Sequence, residues 1–141
     1  MSISEKDLFD ARTAWGNGLI EISETFENEG IEIATLLASD MIDNLYGFNF
    51  GKVLFKPTLS GGSQTFRTTK EGALSYFVGH NPAYPNDSGF GIKFWREINS
   101  DTAATFINDT VAMWMGWVTF TDRDGQVTKV DKSWVYKLDD A

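Results

Sequence analysis

From Leu8 to Phe26 the apolar residues Leu8, Ala11, Trp15, Leu19, Ile22 and Phe26 recur at steps of three and four, the spacing of one helix face. Ser4, with Asp7 three residues on, supplies an N-cap and an acid for the first turn. Gly16-Asn17-Gly18 interrupts this helix at about 1 kcal/mol per glycine relative to alanine, and permits a bend or a close approach to a neighbour. Asn28-Glu29-Gly30 reads as a stop. A second helix follows, with Ile33, Ala34, Leu37, Met41, Leu45 and Tyr46 on one side and Gly47 as its C-terminal cap. Val53-Leu54-Phe55-Lys56-Pro57 is a β-rich run closed by proline, and after the turn Ser60-Gly61-Gly62-Ser63 a short strand returns over Gln64 to Arg67. Thr68 and Glu71 match a capping box for a third helix, which carries Ala73, Leu74, Tyr76, Phe77 and Val78 and ends at Gly79. Residues 80–89, with two prolines, are a loop.

Everything after Phe90 is strand-like. Residues 91–107 read either as two strands turning at Asn99-Ser100-Asp101 or as one long kinked strand. Residues 110–121 and 126–138 flank Asp122-Arg123-Asp124-Gly125, a hairpin signal. Helices first and an antiparallel sheet afterwards predict an α+β layered domain, a single one over residues 1–141. A four-residue turn pairs Thr121 with Gln126, and hence Met113 with Trp134 and Trp117 with Val130, on the face expected to meet the core. The opposite face still carries Trp114, Val118 and Phe120, too much apolar surface to leave wet on a monomer, which predicts a homodimer packed through those residues.

Composition narrows the chemistry. The chain has no cysteine and one histidine, so thiolate metal sites, disulfides and cysteine nucleophiles are excluded, and no cofactor motif is present. The net charge is −8, and residues 1–45 hold all of the imbalance, with ten acids against Lys6 and Arg12. An acidic N-terminal segment without a basic stripe elsewhere argues against nucleic-acid binding. The first residues lack the basic and apolar regions of a signal peptide, and no apolar stretch is long enough to cross a bilayer, so the expectation is a cytoplasmic protein without membrane contact. Eleven Phe, five Trp and four Tyr are more rings than a core of this size needs.

The order helix, helix, short hairpin, helix, long antiparallel strands resembles the nuclear transport factor 2-like superfamily over nearly the whole chain. The runs Val53-Leu54-Phe55-Lys56-Pro57-Thr58, Glu71-Gly72-Ala73-Leu74-Ser75-Tyr76-Phe77-Val78-Gly79 and Gly89-Phe90 are similar to those of a bacterial subgroup with no settled activity. The resemblance implies a cone, with helices packed in the concave face of a curved sheet around an internal pocket. Superfamily members end with a further strand, which is absent here if residues 91–107 form one strand. Members of the subgroup are sometimes labelled phosphoribosyl-AMP cyclohydrolase. That activity needs cysteine and histidine metal ligands, which this chain does not have.

Candidate chemistry rests on few residues. His80 is a general acid or base at the pocket mouth, or a loop histidine donating to a nearby carbonyl. Asp40 and Asp43 are pocket carboxylates or part of the exposed acidic face. Trp15, Tyr46, Tyr76, Trp95 and Trp134 line an aromatic pocket for a small, partly apolar ligand, or simply fill the core. The sequence therefore suggests an uncharacterised dimeric ligand-binding module. The alternative is a metal-independent isomerase, dehydratase or cyclase using His80 or one of the two aspartates.

Overall fold

A computed structural model describes residues 1–139. Three helices, α1 (Glu5–Glu29), α2 (Ile31–Leu45) and α3 (Lys70–Val78), precede three strands, β1 (Trp95–Asn108), β2 (Val111–Asp122) and β3 (Val127–Lys137). The strands pair antiparallel in the order β1-β2-β3.

α1 begins as its sequence dictates. Asp7 N–H donates to Ser4 Oγ at 3.2 Å, and Ser4 N–H donates back to Asp7 Oδ2 at 2.9 Å, which satisfies two otherwise orphaned donors. The two glycines serve close packing, and the helix runs unbroken through them. A Cβ at Gly16 would sit 3.3 Å from Ile98 of β1, and one at Gly18 would sit 2.8 Å from Met41 Sδ of α2. α1 is thereby wedged between sheet and second helix. α2 is rotated from its expected face: Ala34, Ala38, Met41 and Ile42 are buried, while Ile33 and Leu45 are exposed, and the helix ends with Tyr46 rather than Gly47 as its cap. α3 is capped by Thr69, not Thr68, through Gly72 N–H at 3.2 Å.

The expected hairpin over residues 53–67 does not form a ladder. Arg67 N–H donates to the Phe55 carbonyl at 2.7 Å, but Pro57 has no N–H to extend the pairing. Residues 95–108 are one long strand with a register shift between Thr102 and Ala104, so the two-strand alternative fails. Among the described residues the sheet has three strands and does not close. It is an open layer under the helices.

The β2–β3 hairpin corrects both register and face. Its loop has three residues, with Gly125 in the left-handed region at φ 81°. Asp122 N–H donates to Gln126 O at 3.0 Å, and Asp122 Oδ1 accepts from the N–H groups of Asp124 and Gln126 at 2.9 Å each. Thr121 therefore meets Val127, one residue beyond the expected partner, and Trp114 meets Trp134. In this register the odd positions of β2 face Lys129, Asp131 and Ser133, while the even ones face Val130, Trp134 and Tyr136. The even set turns inward. Trp114, Val118 and Phe120, expected at a dimer interface, are each at most 1% exposed within one chain. Met113, Met115 and Trp117, expected inside, are about half exposed, with Phe106 beside them on β1. A bulky Trp114 is accommodated because it lies over Gly116 and its Nε1–H donates to Thr102 Oγ1 at 2.7 Å.

Candidate functional site: a lysine in an aromatic interior

The inward register of β3 reads Thr128, Val130, Lys132, Trp134, Tyr136, so Lys132 is the one charged side chain pointing at the helices from that strand. Its Nζ lies 5.4 Å from the Trp15 ring and 5.6 Å from the Trp134 ring, and donates to Thr58 Oγ1 at 2.8 Å. Burial strips water from the ammonium and pushes the Lys132 pKa down to about 8; Asp131 opposes the shift and Lys56 assists it. The π faces of the two tryptophans give the cation partial compensation.

The surrounding rings form a continuous mesh. Trp15 from α1 meets Trp134 edge-on at 5.1 Å, and its Nε1–H donates to Tyr46 OH at 3.0 Å. Tyr46 packs on Phe55 and Phe77, which in turn pack on Tyr76. Burial raises the pKa of both tyrosine hydroxyls against the N–H groups that they accept from, so both are protonated donors at neutral pH. Tyr76 OH accepts from Leu59 N–H at 3.3 Å. Leu59 follows Thr58 in the chain, so this two-residue segment meets Lys132 through the Thr58 hydroxyl and Tyr76 through the Leu59 amide. A cavity of about 120 Å³ opens beside Tyr76, lined also by Leu59, Ser60, Arg67 and Lys93.

A buried ion pair engages Ser75, the residue before Tyr76 in α3. Arg67 donates to both carboxylate oxygens of Asp87 at 2.7 and 2.8 Å, and Ser75 Oγ–H donates to Asp87 Oδ2 at 2.7 Å. Both charged side chains are about 5% exposed. Burial alone would raise the Asp87 pKa, but the Arg67 and Ser75 hydrogen bonds outweigh it and hold the carboxyl below its ordinary range. This clamp ties the loop after α3 to the segment before it.

The structure distributes the sequence candidates unevenly. Trp15, Tyr46, Tyr76 and Trp134 belong to the aromatic mesh, and Trp15 and Trp134 also border a groove of about 350 Å³ between α1 and the sheet. Trp95 packs on Phe90 and Phe120, with its Nε1–H donating to Phe90 O at 2.7 Å; this is core packing. His80 is exposed at φ 63°, and its Nδ1 donates to Val78 O at 2.8 Å, the carbonyl contact weighed as the alternative to catalysis. Asp40 is exposed, and Asp43 pairs at the surface with Lys70 at 2.7 Å. None of these three acid–base candidates shares an element or an interaction with the Lys132 cluster. Lys132 lies between Val130 and Trp134, both expected to face the core, yet a lysine at an inward position carries no motif of its own, and Thr58 lies in an irregular segment that no spacing marks. Among the described residues, no three His, Asp or Glu side chains converge as a metal ion would require. No helix among them is long and apolar enough to cross a membrane.

The sequence profile described as metal-independent carbonic anhydrase matches residues 6–141. A metal-independent carbonic anhydrase of Nostoc sp. is 46% identical over 139 residues, which are 99% of this chain and 68% of that protein. A crystal structure of the iota-carbonic anhydrase from a cyanobacterium, complexed with bicarbonate, superposes with a TM-score of 0.97 at 46% identity and covers 99% of this chain and 85% of that one. These similarities overturn the reading of an uncharacterised module that only binds an apolar ligand, and they do not favour the isomerase, dehydratase or cyclase built on His80, Asp40 or Asp43. The chain belongs to the metal-independent carbonic anhydrase family.

Proposed function

We propose that this chain interconverts carbon dioxide and bicarbonate at the Lys132–Thr58–Tyr76 cluster, without a metal. The observation that carries the reading is Lys132, a cation facing inward among tryptophans with a hydroxyl beside it. Kinship with a bicarbonate-bound relative supports the choice of ligand. Carbon dioxide is apolar and suits the aromatic mesh, whereas bicarbonate needs a positive charge and hydrogen-bond donors. Lys132 offers both states near neutrality. As a free amine it accepts a proton from water while the water oxygen bonds to the carbon and a carbon–oxygen π pair moves onto oxygen. The hydroxyls of Thr58 and Tyr76 donate to the oxygens that gain charge. The resulting ammonium holds bicarbonate until the anion leaves, and its proton then passes to solvent.

Stopped-flow hydration with a pH indicator tests the assignment. Lys132→Met should lose about 100-fold or more in rate, the low end of what a positioned base contributes. Thr58→Val and Tyr76→Phe should each lose about tenfold to 100-fold, as when one donor to a developing oxyanion is removed. A Lys132→Met protein with wild-type turnover would place the base elsewhere.

We further propose that the chain works as a homodimer, through the outer face of the sheet instead of Trp114, Val118 and Phe120. Phe106, Met113, Met115 and Trp117 leave a contiguous apolar strip there. Trp117→Glu should turn a sedimenting dimer into a folded monomer. A wild-type chain that sediments only as a monomer at micromolar concentration would reject the dimer.

A further inference from the structure

A nucleophilic amine in an apolar interior has a second reaction open to it wherever carbon dioxide is present. We propose that Lys132 is a reversible carbamylation site, at which its amine adds carbon dioxide and the product rests between Trp15, Trp134 and Thr58. The inference rests on the reading that carbon dioxide enters this interior. The Nζ lone pair forms the N–C bond, a carbon–oxygen π pair moves onto oxygen, and one N–H proton leaves to solvent. The product is an N-carboxylate of charge −1, and no oxidant, reductant or further reactant is needed.

Three features favour Lys132 over the other lysines of its strand. First, burial among rings withholds the water that keeps an exposed lysine protonated. Near its pKa of about 8, half of Lys132 is free amine; an exposed lysine of pKa ~10.4 is below about 1% amine at the same pH. Second, Thr58 is at hydrogen-bond distance and can turn its hydroxyl proton onto a carbamate oxygen. Third, of the charged groups acting on Nζ, Asp131 comes from β3 itself and Lys56 from the segment preceding α3. Trp15 of α1 and Trp134 of β3 present uncharged rings. Lys56, anchored on the Thr58 and Ser60 carbonyls at 3.3 and 3.5 Å, adds a positive charge that disfavours the ammonium and favours the carbamate. Carbamylation reverses the charge that holds bicarbonate, so abundant carbon dioxide restrains its own turnover.

The test is to equilibrate the intact chain with 13C-bicarbonate above and below the Lys132 pKa, trap carbamates by O-ethylation, and map the label by mass spectrometry. The expected result is about tenfold more label on Lys132 than on exposed Lys129 and Lys137 of the same strand at the upper pH. Most of it should disappear at the lower pH, and all of it in Lys132→Arg. Equal labelling of the three lysines, or none on Lys132, overturns the proposal. Hydration measured on the same sample separates the two ideas: turnover without label rejects carbamylation alone, and label without turnover rejects the catalytic reading alone.

Discussion

Lys132→Met should stabilise the fold while it removes activity. The lysine pKa falls from 10.5 to about 8 on folding, so the folded state binds fewer protons than the unfolded chain between those values. At about 1.4 kcal/mol per unit, a shift of this size costs roughly 3 kcal/mol of stability at neutral pH, where both states would otherwise hold the proton. Methionine keeps an unbranched stem against Trp15 and Trp134 and drops the charge, but loses the hydrogen bond to Thr58, worth about 1 kcal/mol. The net expectation is a gain of about 2 kcal/mol at pH 7. The sign of the pH dependence follows. Wild-type stability rises from about pH 8 toward 10.5 as the unfolded lysine gives up the proton that the folded one has already lost, so the advantage of the variant shrinks over that window. Urea unfolding of both proteins at pH 7 and near pH 10 reads the difference directly. A variant less stable than wild type at pH 7, or an advantage that does not change with pH, would refute the desolvated-lysine argument.

Asp87→Ala should cost about 3–5 kcal/mol in thermal or urea unfolding, because it leaves the Arg67 guanidinium buried without its partner. Arg67→Met with Asp87→Leu should cost much less than the sum of the single changes, since no charge is then stranded. The depressed Asp87 pKa contributes stability that is present above the ordinary aspartate range and is lost as pH falls through the folded value, so wild type but not the double variant should show this part of its acid destabilisation in a pH series of unfolding midpoints. Gly116→Ala should destabilise by about 1–3 kcal/mol or more, since its methyl would strike the Asp101 carbonyl and come within 2.8 Å of the Trp114 ring; an unchanged urea midpoint would contradict the close approach.

Periodicity and capping made much of the helical layer legible: Ser4 and Asp7 cap α1 as read, and Leu8, Trp15, Leu19 and Ile22 are its buried face. The sheet was harder because β2 is apolar on both sides. Only the identity of its partners decides which side is wet, and that depends on whether the loop before β3 has three residues or four. One residue of loop length moved Trp114 from the outer face to the core, while Lys132, on the face of β3 expected inward, has no sequence signal that it is desolvated there. Tyr46 and Tyr76 were found as rings with polar handles, but Thr58 lies in an irregular segment where no spacing marks it. Histidine and aspartate stand out in a sequence as acid–base candidates because histidine titrates near neutrality unperturbed and a buried carboxylate is raised toward it. The base proposed here approaches neutrality only through burial, which is a tertiary property.

The most direct measurement is 18O exchange between carbon dioxide and water, catalysed by chelator-dialysed protein and followed across pH. Exchange well above buffer is expected, rising with a single inflection near the Lys132 pKa of about 8 and lost in Lys132→Met. Exchange no faster than buffer, or exchange abolished by the chelator and restored by added zinc, would contradict that expectation.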